Sequence, residues 1–348
     1  MNSKILLNNV TDLTLYTGTN GRKYCTCKCI GCTQRNDEDN YAYQGNIKQI
    51  EKIIRKLPNL KNAYLLGNPD VSVDPEFCNL AANKFIENGK KVMFSTSGFN
   101  GVETLKKLTK NIDLSKIEYV SLSVDTINED KLKKLKGNKN ITLEQIDEVI
   151  NYCKKRKIPV KIQPTLWRIN QDDYQELIEY FYKKHGLNWY TFHTGSFEAI
   201  GDEKIDILKH IEPEKSVEIR EKLIRIAQKY NLKMNIPKVF ITEEEYDLYD
   251  NSNTYCRVGG RGLQIWLTRD ALKCTFCPIL TKVNKNYFFN IDDEDIKLLN
   301  PKLDCPIANN CVSNDLKQIS EDNKGNIIFQ NNKKYFNICR YYSKKIKY

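Results

Sequence analysis

The sequence predicts an α/β protein built on a parallel sheet. Between about residue 10 and residue 235, short apolar runs alternate with segments of helical periodicity, as right-handed parallel crossovers require. Cys25, Cys27, Cys29 and Cys32 crowd into a polar loop directly after the first predicted strand. In parallel α/β folds, chemistry is built from the loops at that end of the strands.

The first strand is Val10–Thr17, where apolar and polar residues alternate. A helix over Asn46–Arg55 is marked by Ile47, Ile50, Ile53 and Ile54, and it leads past Pro58 to a strand at Ala63–Leu66. Helices at Glu76–Asn88, Val102–Thr109, Ile141–Lys155 and Asp172–Lys184 then alternate with strands at Lys91–Ser95, Ile117–Ser123, Val160–Leu166 and Trp189–His193. A long helix, Pro213–Tyr230, closes the series. Six such strands make either a doubly wound sheet or an incomplete barrel. No glycine-rich phosphate loop follows the first strand, which removes the usual signature of the former.

The cysteines carry the chemistry. Four within eight residues of a Gly-containing loop are soft metal ligands rather than scattered core residues. The subset Cys25-x3-Cys29-x2-Cys32 leaves Cys27 over. Three thiolates can hold three irons of a [4Fe-4S] cube and leave the fourth open, whereas a zinc knuckle would use all four sulfurs.

Twelve cysteines in a chain of 348 residues, clustered toward its two ends, suit metal ligation better than a disulfide framework. With 28% charged and 40% hydrophobic residues, no apolar run able to span a bilayer and no signal peptide, the chain reads as a cytoplasmic globular protein. The net charge of +11 is spread over dispersed lysines without a basic, aromatic-interleaved stripe, so nucleic acid is a minor option.

Cys25, Cys29 and Cys32 resemble the C-x3-C-x2-C loop of radical S-adenosylmethionine enzymes, with Gly31 standing where that family usually has an aromatic residue. The resemblance implies a partial (β/α)6 TIM-like barrel over residues 1–235. It also implies a cluster-bound S-adenosylmethionine that yields a 5′-deoxyadenosyl radical. By the same resemblance Gly67, Asn68, Pro69 and Asp70 contact the cofactor's amino group, with Asn68 in the place of the family's acid. Ser95 and Ser97 end the third strand; Ser121, Ser123 and Asp125 end the fourth, which resembles the family's fourth strand, and the resemblance implies that its polar residues face the cofactor's ribose and carboxylate. The run Glu129–Gly137 resembles the family's segment after that strand. Gln163 and Arg168, with Trp167, complete the cofactor candidates, and His193 and Glu198 are candidate substrate contacts.

Beyond Phe240 the rhythm stops. A hairpin of Leu263–Leu267 and Leu272–Phe276 is flanked by Cys256, Cys274 and Cys277, with Cys305, Cys311 and Cys339 further on. Residues 236–348 thus resemble the SPASM or twitch extension, a small cysteine-rich iron-sulfur domain. An auxiliary [4Fe-4S] cluster is expected on Cys256, Cys274, Cys305 and Cys311, with Cys277 able to replace one of them. Four cysteines holding zinc would look the same. Cys339 is a candidate hydrogen donor to a substrate radical, while Cys78 and Cys153 are read as core.

The resemblance implies a radical enzyme acting on a peptide substrate such as a precursor peptide, with a small molecule as the alternative and a flavodoxin or ferredoxin as electron donor. No winged-helix leader-binding domain is expected ahead of the cysteine loop, so a leader peptide is expected to bind the barrel or a separate protein. A zinc-stabilised, non-catalytic binding protein is the rival from another class.

Overall fold

The computed structural model describes residues 7–17, 25, 27–30, 32, 45–67, 70–194, 211–236, 240–242, 244, 262–268, 271–275, 288–294, 327–330 and 333–337. Its centre is a run of parallel strands: β1 (Asp12–Tyr16), β2 (Asn62–Gly67), β3 (Lys91–Thr96), β4 (Ile117–Leu122), β5 (Val160–Ile162) and β7 (Trp189–Thr191). They lie side by side in chain order, without the reversal that defines a doubly wound sheet. The winding is that of a barrel sector, as expected. The sheet is also concave. Tyr64 on β2 and Lys161 on β5 are separated by two intervening strands, a span of about 14 Å on a flat sheet. Yet the Lys161 ammonium lies 5.8 Å from the Tyr64 ring, and Tyr64 donates to Gln163 Oε1 at 3.5 Å.

The intervening helices follow from local chemistry. The first, α1 (Ile47–Lys56), opens on a capping box between Asn46 and Gln49. In α2 (Pro75–Glu87) the proline occupies the first turn, where no intrahelical N–H is needed. Helix α3 (Gly101–Leu108) follows β3. After β4 comes α4 (Glu129–Lys136), started by Asn128, whose side chain accepts from Lys131 N, and stopped by Gly137 at φ 55°. Helix α5 (Leu143–Lys155) is capped by Thr142. Then come α6 (Tyr174–His185) and α7 (Pro213–Tyr230). Side chains such as Leu13, Ile53, Phe85, Phe94 and Phe181 are fully buried in the main apolar core. Each contributes about 1.5–3 kcal/mol, against about 0–1 for the exposed ion pairs, so this core carries the stability.

The predicted fifth and sixth strands are interrupted. Pro164 has no N–H to give the ladder, and the chain re-pairs beyond it as β6 (Thr165–Leu166) with β8 (His193–Thr194), where His193 N donates to Pro164 O at 2.8 Å. The sheet also extends further than six strands. β9 (Lys233–Asn235) adds in parallel to β7, and a hairpin of β11 (Gly262–Leu267) and β12 (Leu272–Thr275), with β13 (Phe289–Asn290), adds at β1. The predicted hairpin therefore joins the barrel sheet, with β11 parallel to β1. A separate three-stranded sheet holds β10 (Phe240–Thr242), β14 (Ile327–Gln330) and β15 (Lys333–Asn337). Among the described residues no helix is long and apolar enough to cross a membrane.

Helices α5 and α6 are tied by Asp147. Its carboxylate is within 2.6 Å of buried His185 Nε2 and accepts from Lys184 Nζ and Tyr180 OH, each at 2.7 Å. Burial pushes the Asp147 carboxyl up, but the bonds from Lys184, Tyr180 and His185 outweigh it and hold the group below the usual range. The native pKa is thus below the unfolded value of about 3.9, so the stabilisation is complete above that pH and is lost as pH falls through the native value. Asp147→Asn should cost roughly 1–3 kcal/mol at neutral pH. It should also flatten the acid limb of a denaturant-midpoint against pH curve; a curve parallel to that of the unaltered protein would refute this role.

Candidate active site

The described part of the cysteine loop is seated on the C-terminal end of α4. Ile30 N donates to Leu135 O at 3.0 Å, and the Ile30 side chain packs on buried Leu135 and Trp167. Two residues further, the helix stops in a left-handed turn at Gly137, where a Cβ would come within 2.1 Å of the Lys28 carbonyl oxygen. Asn138 Nδ2 then reaches Cys27 Sγ at 3.9 Å. Three residues near one helix terminus thus hold the loop by backbone bonding, by the room only glycine leaves, and by a side-chain amide.

Cys25, Cys27, Cys29 and Cys32 line a cavity of about 280 Å³ at the C-terminal ends of the strands. Its opposite wall comes from the ends of β1, β2 and β3, with Tyr16, Leu66, Ser95 and Ser97. Asp70 fixes that wall: one carboxylate oxygen accepts from Ser97 N at 2.6 Å and the other from Ser72 N at 2.9 Å. Burial pushes the Asp70 carboxyl up, and these two N–H bonds partly oppose it. Cys27 Sγ lies 3.3 Å from Ser97 Oγ, joining the loop to the same wall. Across the cavity, Lys136 is 3% exposed, bound to Asp125 and to Ser123 Oγ at 2.8 Å each. Burial disfavours its charge, but Asp125 and the thiols of Cys29 and Cys27 more than offset this and raise its pKa.

Hydrogen bonds from the Cys25 and Cys29 thiols hold Cys27 well below the usual thiol range, and the same contacts with burial push Cys25 and Cys29 above it. A bound metal would remove that competition by taking the protons' place on the sulfurs. The donor set fits an iron-sulfur cube: Cys25, Cys29 and Cys32 are three half-buried thiols facing one cavity, while the Cys27 sulfur is already engaged by Ser97 and Asn138.

Of the residues singled out in sequence, Asp70, Ser95, Ser97, Ser123, Asp125 and Trp167 stand on this cavity with the loop cysteines. Ser121 and Gln163 do not line it; Ser121 Oγ donates to Gln163 Oε1 at 2.8 Å in the barrel interior. Exposed Arg168 opens a turn of 3-10 helix, and half-buried His193 sits on β8; neither lines the cavity. Gly67 ends β2, while Asn68, Pro69 and Glu198 lie outside the described residues. So do Cys256, Cys277, Cys305, Cys311 and Cys339. Cys274 is described, and its surroundings are those of a core thiol: it is fully buried in the main apolar cluster and donates to Leu272 O at 3.3 Å. Cys78 and Cys153 are core residues, as expected.

Sequence reading missed Lys136, Thr165 and Tyr16 as lining residues. Lys136 had a signal. It falls on the same stripe as Leu132 and Leu135, at spacings of four and one, so a lysine stood on the buried face of an amphipathic helix.

Residues 21–181 match the family model of the Radical SAM superfamily. The chain is 24% identical over 176 residues to an uncharacterized protein of Methanocaldococcus jannaschii, an alignment spanning 46% of this chain and 40% of that protein. Its fold is similar to that of Streptococcus suis SuiB bound to precursor peptide SuiA, with a TM-score of 0.59 at 16% identity over 86% of this chain and 65% of that one. It is also similar to anSMEcpe with bound AdoMet, with a TM-score of 0.55 at 16% identity over 90% and 81% of the two chains. The chain thus spans less than two thirds of the length of both the curated relative and the SuiB complex.

Gly137 and Gly186 both end helices in the left-handed region, at φ 55° and 64°, but a Cβ on Gly186 would meet nothing within 4 Å. Alanine at either position should cost about 1–2 kcal/mol in backbone strain. Only Gly137→Ala should displace the cysteine loop, reducing iron in reconstituted protein to less than about half, since strain and a backbone overlap act together there. Equal iron in the two variants would show that the contact with Lys28 does not matter.

Proposed function

We propose that the chain, whose residues 21–181 match the Radical SAM superfamily model, is an enzyme that cleaves S-adenosylmethionine reductively and abstracts hydrogen from a peptide substrate. The observation that carries this reading is the shared cavity of Cys25, Cys29 and Cys32 with a wall of hydroxyls and charged groups. These three cysteines would hold a [4Fe-4S] cube. Bound there, it would supply the electron that splits the cofactor into methionine and a 5′-deoxyadenosyl radical.

The chain's own residues bind and orient. Ser95, Ser97 and Ser123 offer hydroxyls that can donate to a carboxylate or accept from an amino group or ribose. Lys136 brings a fixed positive charge to the wall and Asp70 a carboxylate to the opposite one, complementary to a cofactor carrying both an ammonium and a carboxylate. Tyr16 and Trp167 supply apolar surface that keeps water from the reacting region. The electron would come from a flavodoxin or ferredoxin.

The peptide substrate is supported by the fold shared with SuiB, which binds precursor peptide SuiA. The region after residue 235 is read as the auxiliary-cluster extension. Since Cys274 is packed in the core, Cys256, Cys277, Cys305 and Cys311 are the better ligand set for a second [4Fe-4S] cube. Cys339 and His193 are carried as candidate substrate-side groups.

Under reducing, oxygen-free conditions the protein should form 5′-deoxyadenosine from S-adenosylmethionine. Cys25→Ala, Cys29→Ala and Cys32→Ala should each abolish it, a loss of at least a hundredfold, whereas Cys27→Ala should keep most of it. Cleavage lost only in the Cys27 variant would sink the ligand assignment, and no cleavage by the unaltered protein would sink the enzyme.

A further inference from the structure

Lys136 is the single cation among the described residues lining the cavity. A buried lysine is costly unless its charge is used, and here it is kept rather than avoided. Asp125 Oδ2 and Ser123 Oγ hold the ammonium at 2.8 Å each, which fixes its place. The neighbours of Lys136 along the chain touch the cysteine loop: Leu135 O accepts from Ile30 N, Gly137 leaves room for the Lys28 carbonyl, and Asn138 reaches Cys27. The charge is therefore seated in the same short segment that seats the loop. Two carboxylates share the cavity. Asp125 is paired with Lys136, and Asp70 has both oxygens occupied by backbone N–H groups.

Resting on the reading above, we propose that Lys136 is a positioning residue that tunes the cluster: its clamped ammonium, on the cavity that the loop cysteines also line, stabilises the reduced state of a [4Fe-4S] cube held on the loop. One-electron reduction by the flavodoxin or ferredoxin donor adds one negative charge to the cube and its thiolates. A fixed positive charge in a site with little water favours that added charge far more than a solvated one would. Net charge close to a cluster is one of the levers that set its potential. Asp125 acts in the opposite sense, since it both holds the lysine and partly cancels its field.

The test is a redox titration of the reconstituted full-length protein, without S-adenosylmethionine, followed by the electron paramagnetic resonance signal of the reduced cluster. Lys136→Met should shift the midpoint to more negative potential, Lys136→Arg should leave it near the original, and Asp125→Asn should shift it to more positive potential. A lysine that merely supports the fold would not produce shifts of opposite sign in the Met and Asn variants. Two shifts in the same direction, or none, would overturn the inference while leaving the proposed function standing. Should Lys136→Met take up no cluster, Asp125→Asn decides alone: a positive shift supports the inference and any other result overturns it. An unaltered protein that assembles no [4Fe-4S] cube would instead overturn the reading on which the inference rests.

Discussion

The close approach of the Lys28 carbonyl to Gly137 is the contact on which the candidate site depends. A short helix ends in the left-handed region, and the missing Cβ lets another backbone occupy the space it would fill, 2.1 Å from its ideal position. Everything nearby follows from that approach. Ile30 N reaches the Leu135 carbonyl in the last turn of the helix, Cys27 reaches Ser97 and Asn138, and the loop thiols line the cavity. A loop of closely spaced cysteines has little apolar surface of its own, so its shape is borrowed from the helix end it rests on.

The same helix end sets the electrostatics. Thiols packed together resist carrying more than one negative charge, and an ion pair of Lys136 with Asp125 stands against them, largely shielded from water. In such surroundings a single charge counts for more than several on the surface. The barrel supplies rigidity: β4 delivers Asp125, α4 delivers Lys136, and the ladder of parallel strands from β1 to β5 holds the opposite wall.

Much of the fold was legible because its cause is periodic. Apolar residues at helical or alternating spacing mark the elements from β1 to α7, and the cysteine spacing marks the loop. The interruption after Ile162 could have been foreseen from Pro164, but a proline near a strand end reads equally well as a turn. The pairing of β11 with β1 had no local signal, since a partner about 250 residues away is chosen by tertiary packing. Within the site, residues close to the cysteines or at strand ends were recognisable from position. Ser121 and Gln163 were not separable from the cavity hydroxyls, because the difference between lining a cavity and bonding each other beneath it is one layer of a curved sheet. Cys274 shares the cysteine-rich segment, and the alternation of β12 turns it into the apolar core, which the spacing of the cysteines does not reveal.

The most direct test of the account is the metal content of the protein purified and reconstituted without oxygen. A loop shaped on α4 to present three thiolates predicts iron with matching sulfide, about four atoms of each per cube, lost when Cys25, Cys29 and Cys32 are replaced together. Stoichiometric zinc on the loop with no iron or sulfide would contradict it, making the loop a structural metal knuckle and the cavity something other than the seat of a radical reaction.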